Sequence, residues 1–163
     1  MVRKTFQDAL FEIKTKGKEA ENLRLHPLKT NEEIDEYLKK INYDDADKEL
    51  LHNNDTDVYV ITFKNNIPVG LLALNEDEKF IYDIYIKGKY KDKGYFKETL
   101  IFCIEKKKCT NVYVNKYNKR AVIGYIAYNF LFIKYDKKNK DNYIMKYVSD
   151  TDATNQRTLY DRI

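Results

Sequence analysis

Residues 84–99, IYIKGKYKDKGYFKET, constrain what this chain can fold into more than any other stretch. They begin with the apolar alternation of a strand, pass through a lysine-studded turn, and reach Gly94 at the head of a helical pattern. A strand that feeds a helix through such a turn points successive backbone N–H groups, and the positive end of the helix dipole, at one place. That place favours an anion. Lys87, Lys89, Lys91, Lys93 and Lys97 surround it, which leaves two readings, a polyphosphate ligand or a solvated basic turn.

Length and composition narrow the setting. A chain of 163 residues suits one domain with a proper core, so residues 1–163 are expected to form a single domain. Hydrophobic residues at 43% and charged residues at 34% exclude a disordered chain. The net charge of +4 is mild, it is largely accounted for by lysine clusters that could meet one phosphorylated cofactor, and no nucleic-acid motif is present, so nucleic acid is not an expected partner. Cys103 and Cys109 lack CxxC spacing and there are two histidines, so neither a metal nor a disulfide is indicated. The longest apolar stretch, near residues 124–133, falls short of the roughly 20 residues that span a bilayer, and the start of the chain lacks an apolar signal core. A cytoplasmic protein without a membrane partner is expected.

In chain order, Phe6, Ala9, Leu10 and Ile13 recur at helical spacing and predict an amphipathic helix over residues 3–15, part of an N-terminal extension (1–21). Residues 22–28 read as a strand. Thr30 and Glu33 form a capping box for a helix whose apolar face is Ile34, Tyr37, Leu38 and Ile41, and a short helix is expected over 46–52. Strands at 58–64 and 67–75 flank the Asn65-Asn66 turn as a hairpin. A strand at 79–86 leads into a helix over 94–107 with Phe96, Leu100, Cys103 and Ile104 along one side. A strand at 111–115, a helix at 118–128, strands at 130–135 and 143–148, and a polar tail at 149–163 complete the chain. The strand, helix, strand unit from 79 to 115 predicts parallel strands joined by a right-handed crossover within a mixed α/β, mostly antiparallel sheet.

Ile86, Gly88, Lys91 and Gly94 set out a strand end, a turn former, a long basic residue and a glycine at intervals of two, three and three. This order resembles the acetyl-CoA signature of the GNAT superfamily of acyl-CoA-dependent N-acyltransferases, in which Val-x-Pro-x-x-Arg or Gln-x-x-Gly-x-Gly or Ala wraps the CoA pyrophosphate. Lys91 stands for Arg or Gln, Gly88 for Pro, and Phe96 occupies the place of a small residue. A second stretch, NKRAVIGYIAYNF at 118–130, resembles the family's Asn-x-x-Ala-x-x-x-Tyr-x-x-x-Gly-Phe through Asn118, Ala121, Tyr125 and Phe130, with Asn129 for the glycine. Asparagine tolerates the left-handed backbone that glycine adopts there. The element order between residues 22 and 148 is also that of GNAT domains.

The resemblance implies acetyl-CoA as cosubstrate, no metal, and transfer of the acetyl group to a primary amine on a small molecule or protein by direct attack. It implies that backbone groups of Ile84, Tyr85 and Ile86 pair with the pantetheine as an added strand would, in a gap between splayed parallel strands. The amides of Lys93, Gly94, Tyr95, Phe96 and Lys97 would hold the pyrophosphate, with Lys91 beside them. Tyr125 would protonate the departing thiolate, as a phenol with a pKa of about 10 can do for a thiol of about 8.5. Each assignment has a structural counterpart. Asn118 is a good N-cap in any protein. Tyr125 is one of fifteen tyrosines and reads equally as a core residue. Tyr82-Asp83 resembles the Glu-Asp of some amine-acetylating members, and Asp83 is either a sheet carboxylate or the group that attracts a cationic amine and relays its proton. Glu76, Asp77 and Glu78 read as a solvated turn. Phe96 opens a second reading of the whole chain, a GNAT-shaped interaction module without cofactor binding. A third is an acyltransferase that holds an aminoacylated RNA.

Overall fold

The computed structural model describes residues 23–64 and 66–148. The expected 3–15 helix, the 149–163 tail and Asn65 of the hairpin turn lie outside them. The described residues fall into two compact units, one ending at Cys109 and one beginning at Thr110.

In the first unit, β1 (Leu23–Leu28), β2 (Asp57–Phe63), β3 (Ile67–Asn75) and β4 (Phe80–Ile86) pair in that order, each antiparallel to the next. Helix α1 (Asn31–Lys40) starts on the expected capping box, in which Glu33 N–H donates to Thr30 Oγ1 at 3.1 Å and Thr30 N–H donates to Glu33 Oε1 at 3.2 Å. A cap of this kind contributes about 1 kcal/mol. The helix buries Ile34, Tyr37, Leu38 and Ile41, the face expected from their spacing, together with Leu51 of the short α2 (Lys48–Leu51) and Val58, Leu71 and Ala73 of the sheet. Residues alternate across a strand, so Leu72 and Leu74, also fully buried, face the other side. Helix α3 (Tyr95–Glu105) packs on β4.

Two irregularities shape this sheet. The β2–β3 register skips Val69, and the β3–β4 register passes from Ala73 opposite Asp83 to Leu74 opposite Ile81, which leaves Tyr82 as an extra residue on β4. Such bulges bend a strand and re-aim the side chains beside them. Between them, Gly70 lies so close under β4 that a Cβ there would run into the Tyr85 carbonyl oxygen. The Tyr37 hydroxyl donates to the Gly70 carbonyl from the helix side.

The second unit holds β5 (Asn111–Asn115), α4 (Lys119–Ala127), β6 (Phe130–Tyr135) and β7 (Asn142–Tyr147). The last strand is the middle one, antiparallel to β5 on one side and β6 on the other. Helix α4 packs on β5 and β6, and Val112, Ala127, Phe130 and Met145 are buried. The elements β4, α3 and β5 follow one another in the order expected of a crossover.

Candidate active site

The signature stretch forms a strand, a turn and a helix, as its sequence predicts. Beyond Ile86, Lys87 N–H donates to the Val69 carbonyl at 2.7 Å, beside the β3 bulge. A 3₁₀ turn over Gly88–Tyr90 follows, closed by Tyr90 N–H on Lys87 O at 2.8 Å and Lys91 N–H on Gly88 O at 3.2 Å. Asp92 and Gly94 then take φ of 67° and 89°, so the backbone enters the left-handed region twice within three residues. Gly94 caps α3 from this left-handed conformation, which costs glycine little and most residues more. The first ladder bond of α3 is Glu98 N–H to Gly94 O at 3.0 Å. The amides of Tyr95, Phe96 and Lys97 precede it, and the capping glycine brings no side chain to them. Lys91 is exposed, Lys93 and Lys97 are half-buried, and Lys89 Nζ stands 5.1 Å from the Tyr90 ring centroid.

The buried side of α3 differs from the expected one. Tyr95, Thr99, Leu100 and Cys103 are buried, whereas Phe96 and Ile104 are half-buried on the flank. The cause is the aromatic seat at the helix start, where the Tyr95 ring meets Phe63 at 5.4 Å and Tyr90 at 6.0 Å, both edge to face. That seat sets the rotation of the helix. The sequence suggests Tyr95 only as a backbone contributor, and its side chain is an anchor for the turn.

Asp83 lies opposite Ala73 and Tyr85 opposite Leu71, which puts both on the face that carries α1 and α2. The Tyr43 hydroxyl donates to Asp83 Oδ2 at 2.6 Å, and the rings of Tyr43 and Tyr85 stack 3.8 Å apart at 6°. Asp83 keeps a partial opening to solvent but is crowded by protein atoms, and this desolvation pushes its carboxyl up to about 6. The Tyr43 hydrogen bond opposes the rise and the nearby Asp47 adds to it. Desolvation, with Asp44, Asp83 and Asp45 nearby, also raises the Tyr85 phenol. The segment 42–47, NYDDAD, matches no motif, so its role is not readable from the sequence. The acids 76–78 are not all merely solvated, since Lys107 Nζ lies 3.3 Å from Glu76 Oε1 and 5.5 Å from the Tyr59 ring centroid.

In the second unit, Asn118 caps α4 by accepting from Ala121 N–H at 3.2 Å, its expected structural role. Tyr125 is 2% exposed and its ring sits edge-on to Phe130 at 5.8 Å. Asn129 has φ 70°, the left-handed conformation expected of a glycine substitute, and its carbonyl accepts from Val148 N–H at 2.9 Å. Among the described residues no group of three or more His, Cys, Asp or Glu could hold a metal. Burial pushes the Cys109 thiol up to about 11 and lifts Cys103 above the ordinary thiol range, so neither is a ready nucleophile at neutral pH.

A mixed α/β chain with this strand, turn and helix has clear structural counterparts. An assigned acyl-CoA N-acyltransferase of Klebsiella pneumoniae superposes with a TM-score of 0.58 at 14% identity, over 77% of this chain and 96% of its own. The fold is that of the GNAT N-acyltransferases. Spermidine N-acetyltransferase from Vibrio cholerae shares it, as a dodecamer in an intermediate state (TM-score 0.50, 15% identity, 77% and 91% covered) and as a point mutant (0.52, 15%, 82% and 96%). No protein-family model matches the sequence, and no curated protein matches it. The GNAT fold class expected from the signature is therefore present at identities that speak for architecture alone. No helix among the described residues is long and apolar enough to cross a membrane.

Proposed function

We propose that this chain is an N-acyltransferase that moves the acetyl group of acetyl-CoA to a primary amine by direct attack, with the residues 22–148 acting as one GNAT-like domain in the cytoplasm. The observation that carries the reading is the turn between β4 and α3, where a left-handed glycine cap precedes helix amides set among Lys91, Lys93 and Lys97. In this reading the amides of residues 93–97 hold the pyrophosphate, and Ile84, Tyr85 and Ile86 pair with the pantetheine. Asp83 takes a proton from the amine nitrogen, the nitrogen bonds to the thioester carbon, the C–S bond breaks, and the thiolate takes the Tyr125 proton. The acceptor is an amine-bearing small molecule or protein, and the polyamine acetylated by the Vibrio cholerae counterpart makes spermidine the first probe.

Acetyl-CoA at one hundred times its dissociation constant is expected to stabilise the purified protein by about 2.7 kcal/mol. In Lys91→Ala/Lys93→Ala the same stabilisation should require about tenfold more ligand, because charge near phosphate is lost while the fold is kept. Calorimetry and thermal melts check both. No heat and no melting shift at millimolar acetyl-CoA would overturn the reading.

Phe96, where the family has a small residue, favours the second reading, an interaction module without cofactor binding. Because Phe96 is half-buried, Phe96→Ala is expected to cost about 1–2 kcal/mol and to leave acetyl-CoA affinity within about twofold. A tenfold gain in affinity would show that the benzyl group fills the ligand's place, and would favour the module.

A further inference from the structure

We propose that Tyr43 is a positioning residue for the acceptor amine, its hydroxyl and ring holding the Asp83 carboxylate in one orientation so that one oxygen is reserved for the amine's proton. This rests on the role given to Asp83 above and assigns a role to a residue outside both family motifs.

Three constraints converge on Tyr43. Its backbone is fixed by the end of α1, where Asn42 has φ 57°, Asn42 N–H donates to Lys39 O at 3.2 Å and Tyr43 N–H donates to Leu38 O at 3.0 Å. This is the two-bond helix stop in which a left-handed residue is followed by a residue tied back to the last turn. Its ring lies flat on Tyr85, at 3.8 Å and 6°, so the phenol cannot swing without breaking the stack. Its hydroxyl donates to Oδ2 of Asp83 at 2.6 Å, a short charge-assisted bond. Asp83 itself follows the extra residue Tyr82 on β4, where the strand is bent. With Oδ2 engaged, Oδ1 is the oxygen that can receive a proton. A carboxylate with free rotation would divide its time between orientations, and holding it in one is what brings a base into line with a bound nucleophile.

The charged and titratable groups facing Asp83 are Tyr43 and Asp47 from the segment after α1, and Tyr85 from its own strand. The Tyr43 bond lowers the Asp83 pKa, and Tyr43→Phe, which keeps the ring and deletes the donor, raises it. The amine must meet an ionised Asp83, so the acidic limb of the kcat/KM profile moves to higher pH, by about one to two units for a lost bond to a charged group.

The experiment measures CoA release against pH with spermidine, glucosamine and a lysine peptide as acceptors, for the parent, Tyr43→Phe and Asp83→Asn. The expected result is an acidic limb near pH 6 in the parent, displaced upward in Tyr43→Phe, with the amine KM raised at least threefold and the acetyl-CoA KM unchanged. A limb that stays in place in Tyr43→Phe while vanishing in Asp83→Asn overturns the role of Tyr43 alone. Full activity in Asp83→Asn, or no turnover of any acceptor by the parent, overturns the Asp83 reading and this proposal with it. If Tyr43→Phe does not fold, Tyr85→Leu removes the stack and is expected to raise the amine KM at least threefold. An unchanged KM there overturns the proposal.

Discussion

Replacing Tyr125 by phenylalanine is expected to lower kcat by about 10²- to 10⁴-fold with little change in the KM for acetyl-CoA, because in the proposed reaction it removes the acid and keeps the ring. The ring is 2% exposed and packs edge-on to Phe130, which in turn meets Tyr147 at 5.7 Å. Phenylalanine fits the same space in the same orientation, so the ring cluster persists. A thiolate leaving without a proton is a poorer leaving group, and the deficit falls on the chemical step. Steady-state kinetics with an accepted amine reads the effect, and a cooperative melt confirms that the variant is folded. Turnover at the parent rate would return Tyr125 to the status of a packing residue.

Gly70→Ala is expected to destabilise the first unit by more than about 3 kcal/mol, or to prevent its folding. The added methyl would overlap the Tyr85 carbonyl oxygen, and the obstacle is backbone, which has no rotamer to escape into. Relief requires β3 and β4 to separate at the pair Gly70 and Ile86, and it disturbs the carbonyl that accepts from Tyr37. Urea titration of the parent and variant reads the change in midpoint. A shift of less than about 1 kcal/mol would mean that β4 can move freely at this pair. Such freedom would also weaken the case for Ile84–Ile86 as a rigid edge for the pantetheine.

What the sequence makes legible depends on how local its cause is. The capping box of Thr30 and Glu33, the apolar face of α1, the glycine at the head of α3 and the stand-in Asn129 are each written within a few residues, and each is found where its spacing predicts. The rotation of α3 is not local. It is decided by Phe63 and Tyr90 receiving Tyr95, so the stripe headed by Phe96 is the natural but displaced reading. The register skip at Tyr82 is equally invisible, since one extra residue on a strand leaves no mark until its partner is known. Asp83 is legible as a residue of interest, but Tyr43 is not. The two are forty residues apart, and only the fold brings a hydroxyl from the end of α1 against a carboxylate of β4.

The strand order of the second unit bears on synthesis. Among the described residues of that unit β5 and β6 are joined through β7, the last of the three to leave the ribosome. Until Asn142–Tyr147 emerges, β6 has none of its ladder partners, and Phe132 and Ile133 are carried on an unpaired segment. A nascent chain stalled before residue 142 therefore holds a unit that cannot close, however complete its first unit is. Its exposed apolar strand is then a substrate for chaperones or proteases, so translation must pass residue 147 before the region bearing Tyr125 is protected.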